Sequence, residues 1–170
     1  PNNKKNYRTR CSALIKTTDE NILIDTSPDL RQQLLRHKIK KINKVLFSHM
    51  HGDQTHGVND LRSFYINSRK QINVYADNYT SKYLKNSFSY IFKSYSNEYP
   101  ATLKLNKLPK NINTKNNGKN IKIQSVIVKH GKVKSNCFIV DRKLAYISDV
   151  NKIYEKDFKY FKNLKYLIID

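Results

Sequence analysis

Short apolar runs separated by polar turns set the grain of the chain. Residues 11–16 read as a strand, with Ala13 and Ile15 alternating against Ser12 and Leu14. Residues 21–25 form a second such run, so the polar stretch between them predicts a hairpin turn. A helix then follows: Ser27 suits its cap, Pro28 its first position and Asp29 its positive end, with Leu30, Leu34 and Leu35 as the apolar stripe. Arg36, His37 and Lys38 fall at its end, where cations are favoured, which gives His37 a structural role. Residues 44–47 predict a strand, and Val58, Leu61, Phe64 and Tyr65 recur with helical spacing after it. Further on, 72–76 reads as a strand and 80–93 as one helix with Leu84, Phe88, Ile91 and Phe92 on a face. Residues 102–105, between Pro100 and Pro109, read as a short strand. Residues 110–120 are polar and rich in Asn and read as a loop, with Gly118 at a turn. Strands at 121–128, 137–140 and 144–147, a helix at 153–161 and a strand at 164–169 complete the pattern. Strands and helices that alternate, then a run of strands, predict an α/β fold of two packed sheets with helices outside, a four-layer sandwich. We find no internal repeat of solenoid length.

Composition narrows the class. A chain of 170 residues is one domain's worth, long enough for a sizeable core, and residues 1–170 are taken as a single domain. Tyr (12) and Phe (7) carry packing that Trp, which is absent, and Met, present once, do not. No apolar run is long enough to cross a bilayer, and no signal peptide is visible, so a cytoplasmic, non-membrane protein is expected. Cys11 and Cys137 lie in strand-like segments and are expected to be buried free thiols. The chain begins at Pro1 and stops directly after an apolar run, so both ends are expected to be cut. The formal net charge is +20, from 33 Lys and Arg against 13 Asp and Glu, a field that attracts polyanions. The lysines are scattered rather than clustered, so nucleic-acid binding is possible without being favoured.

The chemistry concentrates in residues 48–57, Ser-His-Met-His-Gly-Asp-Gln-Thr-His-Gly, which hold three of the five histidines. An apolar strand leads in and an apolar-periodic helix leads out. Imidazole nitrogen and carboxylate oxygen are the donors zinc takes at catalytic sites, where three protein ligands leave room for water. The plainer reading, histidines that only cap a helix, suits a chain with histidine spread throughout, which this is not. His130, after the strand 121–128, and Asp149, after the strand 144–147, stand at strand ends where they would converge with this loop.

With those positions in place, the sequence resembles the metallo-β-lactamase-fold hydrolases, whose pattern runs His-x-His-x-Asp-His, then a later histidine, an aspartate and a last histidine. His49, His51 and Asp53 match the first motif, His130 the next position and Asp149 the next. The segments 25–31, 55–62 and 146–150 are similar to the phosphodiesterase branch related to PhnP. The resemblance implies the four-layer αβ/βα sandwich and hydrolysis of a small or cyclic phosphodiester by a metal-activated hydroxide. By resemblance, His49, His51 and His130 hold one metal, Asp53 belongs to a second and handles the water proton, and Asp149 bridges. Arg8, Arg10 and Arg62 are candidate phosphate contacts. Two departures stand out: Gln54 occupies the place of a second-metal histidine, and the last histidine has no counterpart within residues 1–170. His56 could swing in, although the helix is expected to turn it away. One tightly held zinc is therefore expected, with a second ion, zinc or manganese, weak or absent. The rival readings are a ribonuclease of the tRNA 3′-processing type in the same superfamily and an inactive basic binding module. Oligomeric state is left open.

Overall fold

Period-two alternation sorts the strand side chains into separate apolar layers. The structure is a computed structural model that describes Asn3 and residues 6–169; the ends of the expected domain at residues 1, 2, 4, 5 and 170 lie outside the described residues. One sheet has the order β1-β2-β3-β4-β5, with β1 Ala13–Lys16, β2 Asn21–Ile24, β3 Lys44–Leu46, β4 Ile72–Ala76 and β5 Leu103–Lys107. β1 and β2 form the antiparallel hairpin, and β2 through β5 pair in parallel. The other sheet has the order β10-β9-β8-β7-β6, with β6 Asn111–Asn116, β7 Lys119–His130, β8 Val133–Val140, β9 Leu144–Ile147 and β10 Tyr166–Ile169. β6 to β9 form an antiparallel meander, and β10 runs parallel to β9.

Ile22, Ile24 and Leu46 of the first sheet meet Ile112, Ile123, Phe138 and Tyr146 of the second, so the two sheets share one apolar layer. The opposite faces of β2, β3 and β4 carry Leu23, Val45, Ile72 and Val74, which pack with Phe47 beneath the helices through Leu30, Leu34, Phe64, Leu84 and Ile91. Those helices are α1 (Leu30–Arg36), α3 (Arg62–Ser68), α4 (Asn78–Ser87) and α5 (Ser89–Phe92); a short α2 (Gly52–Thr55) lies in the motif. The outer face of the second sheet packs Val126, Val128, Cys137 and Ile147 against Ile153, Tyr160, Phe161 and Leu164. The expected αβ/βα sandwich is the fold observed. Each fully buried aliphatic or Phe side chain in these layers contributes about 1.5–3 kcal/mol of transfer free energy.

Several elements differ from the sequence pattern. Residues 111–116 are a strand, not loop: Ile112 and Thr114 are buried while their neighbours face water, and Asn117–Gly118 make a tight turn at φ 50° and 75°. Two apolar-facing positions are too few to stand out in an Asn-rich stretch. Helix α1 starts at Leu30 with Asp29 at its N-cap position rather than Ser27, whose hydroxyl donates to the Asp29 carboxylate, which also accepts from the Arg10 N–H and the Gln33 amide. The expected helix 80–93 breaks at Phe88 (φ −132°), which leaves α4 and α5 as separate pieces. The helix expected from Val58 opens as a 3-10 turn, Val58–Leu61, before α3. The segment 153–161 holds a 3-10 turn, Glu155–Tyr160, with no buried residue.

One close approach locks the motif to the first sheet. Thr26 donates its N–H to Gln54 O at 2.7 Å, and Gly57 donates its N–H to Thr26 O at 2.9 Å. A Cβ on Gly57 would lie 1.9 Å from Ser27 O, so only glycine fits. Gly57→Ala should therefore destabilise the chain by about 3 kcal/mol or more, read as a lower denaturant midpoint at unchanged slope. A change below about 0.5 kcal/mol would show that the 25–29 segment yields freely.

Candidate metal centre

The loop after β3 is held at Ser48 from both sheets. Asp25 Oδ1, at the end of β2, accepts the Ser48 N–H at 2.7 Å. Asn136, on β8, donates its backbone N–H to Ser48 O at 2.8 Å and its side-chain amide to the same oxygen at 2.9 Å. That amide also reaches Asp77 Oδ2 at 3.0 Å, and Asp77 caps α4. The next residue, His49, is 1% exposed. Its Nδ1 faces the Ser48 hydroxyl at 3.0 Å and the Ser135 hydroxyl at 3.5 Å, which leaves Nε2 pointing the other way.

Three imidazoles converge there. His49 Nε2 lies 3.0 Å from His51 Nδ1, and His130 Nε2 lies 3.2 Å from the same atom. The three ring centroids are 4.6–5.0 Å apart, with the rings inclined at 69–74°. All three donor atoms fall within 4.8 Å of one another. Two nitrogens at 2.0–2.1 Å from one tetrahedral ion would be separated by about 3.3 Å, so the observed spacings suit a single divalent metal. The ligating form of imidazole is the neutral one. Burial first, then the His51 and His130 charges, lower the His49 value from 6.5 to about 4, which keeps it neutral at pH 7. The donor set therefore fits a metal.

His130 closes the hairpin between β7 and β8, where Gly131 takes φ 56°, a conformation that favours glycine. The segment beyond Asp149 is sewn to the same strand end: Lys129 donates to Lys152 O at 2.9 Å, and Asn151 donates to Lys129 O at 2.7 Å. The Gly131 N–H also donates to the Asn151 side chain. These bonds bring Asp149 Oδ2 to 3.4 Å from His49 Nε2. Asp53 stands in the first turn of α2, two residues after His51, and its charge acts on both His49 and Asp25.

The remaining sequence candidates fall elsewhere. His56 is turned away, its Nε2 2.9 Å from the Tyr83 hydroxyl and its ring against Phe88. Arg62 lines surface clefts, one with Arg31, Asn59 and Asp60 and one with Tyr90, Tyr95 and Tyr99, that include none of the histidines. Arg8 and Arg10 are exposed, and Arg10 uses its backbone N–H on Asp29. Cys137 is buried, and burial pushes its thiol up to about 12, as suits an inert core residue. Cys11 is only partly buried: its sulfur is 3.3 Å from the Tyr146 hydroxyl and 3.8 Å from the Gln54 amide nitrogen. Sequence reasoning passed over Asp25, Ser135 and Asn136, which fix the loop. Asp25 has one local signal, a carboxylate at a strand end; Ser135 and Asn136 have none.

The family described as the Beta-lactamase superfamily domain matches residues 20–170. The chain belongs to the beta-lactamase superfamily. Among solved structures, a diphosphatase from the PhnP family is 28% identical with a TM-score of 0.78, covering 93% of this chain and 58% of that one. Zn²⁺-bound PqqB from Methylobacterium extorquens is 16% identical (TM-score 0.70; 96% and 60% covered), and the short form of human tRNase Z is 17% identical (TM-score 0.65; 94% and 70% covered). At 16% and 17% identity the likeness to these two shows the fold alone. The octanoyltransferase of Porphyromonas gingivalis (strain ATCC BAA-308 / W83) is 29% identical over 164 residues, 96% of this chain. This superfamily chain spans 32% of that relative's length.

Asp25 is the buried charge problem of the centre. It is fully buried at φ 61°, and its Oδ2 has no hydrogen-bond partner among the described residues. Burial raises its carboxyl from 3.8 to about 7; the Ser48 N–H opposes the rise, and the charges of Asp149 and Asp53 add to it. The folded chain holds a proton that the unfolded chain has lost across this window. The stability contributed by the protonated group is thus full below 3.8 and lost as pH rises through about 7. Asparagine keeps the acceptor for Ser48 and tolerates the positive φ. In the metal-free chain, Asp25→Asn should gain on the wild type by on the order of 2 kcal/mol between about pH 5 and pH 8, measured by denaturant unfolding. An unchanging difference over that range would mean that Asp25 does not titrate there.

Proposed function

We propose that this chain forms the metal-binding core of a hydrolase acting on phosphodiester-type bonds, in which the attacked phosphorus carries two ester or anhydride links. The observation that carries the reading is the convergence of His49, His51 and His130 on one point with Asp149 at its edge. The likeness to a PhnP-family diphosphatase supports the phosphorus chemistry. His49, His51 and His130 would hold the metal, zinc in the first instance. A bound divalent ion supplies Lewis-acid charge to a phosphoryl oxygen and makes water a better nucleophile at neutral pH.

The chain's own residues divide the rest of the work. The hydroxyls of Ser48 and Ser135 fix the His49 ring and present Nε2 as the donor. Asp53, beside the cluster, takes the proton that the attacking water gives up. Asp149 Oδ2, 3.4 Å from His49 Nε2, stands where it would share the ion with the histidines. A cleft of about 540 Å³ touches the motif at Met50, without including any of the three histidines, and is lined by Tyr79, Leu108, Ile127, Lys132 and Lys134. Those walls suit the organic part of an anionic substrate.

Nucleic acid is the less favoured substrate. Exposed lysines such as Lys16, Lys82, Lys104, Lys122 and Lys134 lie on both sheets and on α4 rather than along one groove. We do not carry octanoyl transfer over, because the matching relative is about three times as long as this chain. No helix among the described residues is long and apolar enough to cross a membrane. Cys11 and Cys137 form no disulfide among the described residues, which suits the cytoplasmic setting proposed here.

The zinc- or manganese-loaded chain should release nitrophenol from bis(p-nitrophenyl) phosphate. His51→Ala or His130→Ala should cut this by about 100-fold or more, since a Lewis acid is worth several kcal/mol in the transition state. Turnover that survives both substitutions, or a metal-loaded chain inert toward diesters and diphosphates alike, would overturn the reading. Binding to random RNA should be weak and lost at moderate salt; tight, salt-resistant binding would favour the ribonuclease.

A further inference from the structure

Gln54 stands where the family resemblance calls for a second metal-binding imidazole, and its surroundings give it a different task. It is 1% exposed, on α2 one residue after Asp53. Its amide nitrogen donates to Asp149 Oδ2 at 3.1 Å, the same oxygen that lies 3.4 Å from His49 Nε2. The other N–H of that nitrogen meets Cys11 Sγ at 3.8 Å, while Gln54 Oε1 is buried with no hydrogen-bond partner among the described residues.

The amide orientation follows from charge. Turned over, it would set Oε1 against a carboxylate oxygen, two acceptors with no proton between them. With nitrogen inward, a neutral N–H holds the very carboxylate oxygen that a second cation would need. An amide that donates to Asp149 presents no lone pair to an ion there. A second ion would have to break this bond, and Gln54 would then offer only a neutral oxygen, a poor substitute for imidazole on zinc. The residues present do not fit a second metal.

We infer that Gln54 is a positioning residue that takes the place of a second cation and dedicates Asp149 to the ion held by the histidines, making this a one-metal centre of three imidazoles and one carboxylate. The inference rests on the metal reading proposed above. Cys11, behind the amide, is not a ligand while Gln54 is in place.

The test is metal stoichiometry with cobalt spectroscopy on the 170-residue chain. Equilibrium dialysis against Zn²⁺ and elemental analysis should give about one ion per chain, and Gln54→His should raise the occupancy above one with a second, weaker ion, since the last histidine of the family pattern has no counterpart in residues 1–170. Gln54→Met keeps the volume but removes the donor; it should still bind one zinc, about 10- to 100-fold more weakly, as expected when a ligand loses its supporting hydrogen bond. Asp149→Asn should show a comparable loss, and adding Gln54→Met to it should cost little more, because the amide acts through that carboxylate. The visible spectrum of the Co²⁺-loaded chain should change in Gln54→Met and stay the same in Cys11→Ser. Two zinc ions of equal affinity in the wild type would overturn the inference and leave the hydrolase reading standing. Fully additive losses in the double variant would do so too, as would a thiolate-to-cobalt band abolished by Cys11→Ser. No bound zinc at all would overturn both.

Discussion

The centre depends on how Ser48 is held. Its N–H is bound by Asp25 from the first sheet and its carbonyl by Asn136 from the second. Both peptide groups are buried, where an unmade hydrogen bond costs about 1–3 kcal/mol. The loop therefore has little freedom to slide along either sheet. His49 follows directly, and two hydroxyls set its ring. His51 lies one residue beyond Met50, and His130 meets both at a hairpin end that is tied in turn to the segment after Asp149. Each ligand candidate is thus fixed by a neighbour that is itself fixed, which is how a short polar cluster keeps its geometry before any ion enters.

Local and global electrostatics run in opposite senses. The chain carries a net charge of +20, yet the centre gathers Asp25, Asp53 and Asp149 around imidazoles, of which the buried His49 stays neutral. Burial, and to a smaller degree the charges of Asp149 and Asp53, push up the Asp25 value, a shift that nearby positive charge would oppose. A divalent cation is the species that relieves this. The Gln54 amide supplies a smaller compensation at Asp149 through one partially positive hydrogen, its other N–H facing Cys11 Sγ. The basic exterior has a separate consequence: it draws anions toward the molecule without selecting among them.

Much of the fold was legible because its information is local. β2 and β3 are short continuous apolar runs buried beyond their polar first residue, and β4 alternates buried and half-buried positions over five residues. The misses share a cause. β6 is stabilised by pairing with β7 and has only Ile112 and Thr114 facing inward, so nothing within residues 111–116 separates it from loop. The helical stripe through Phe88 was read correctly as apolar, but a stripe does not report the break in the backbone that lets Phe88 and Phe92 both reach the same core. β10 is apolar in sequence and exposed in the fold.

The sequence by itself determined the chemistry of the centre: a strand delivering His49 and His51 into a turn, and His130 and Asp149 at two later strand ends. Donor type and strand-end placement are written in residue identity and in period-two alternation over a few neighbours. The tertiary structure decided what those donors are held by and which of them compete. Ser48 and Asp25 are 23 positions apart, Ser135 and Asn136 reach back 86 and 88 positions, and Gln54 meets Asp149 across 95. No local pattern encodes such pairs, because they exist only once two separate sheets have stacked on a common apolar layer. The same stacking turned His56 toward Tyr83, placed Cys11 behind Gln54, and gave a glutamine that reads as a weakened ligand its place as the donor to Asp149.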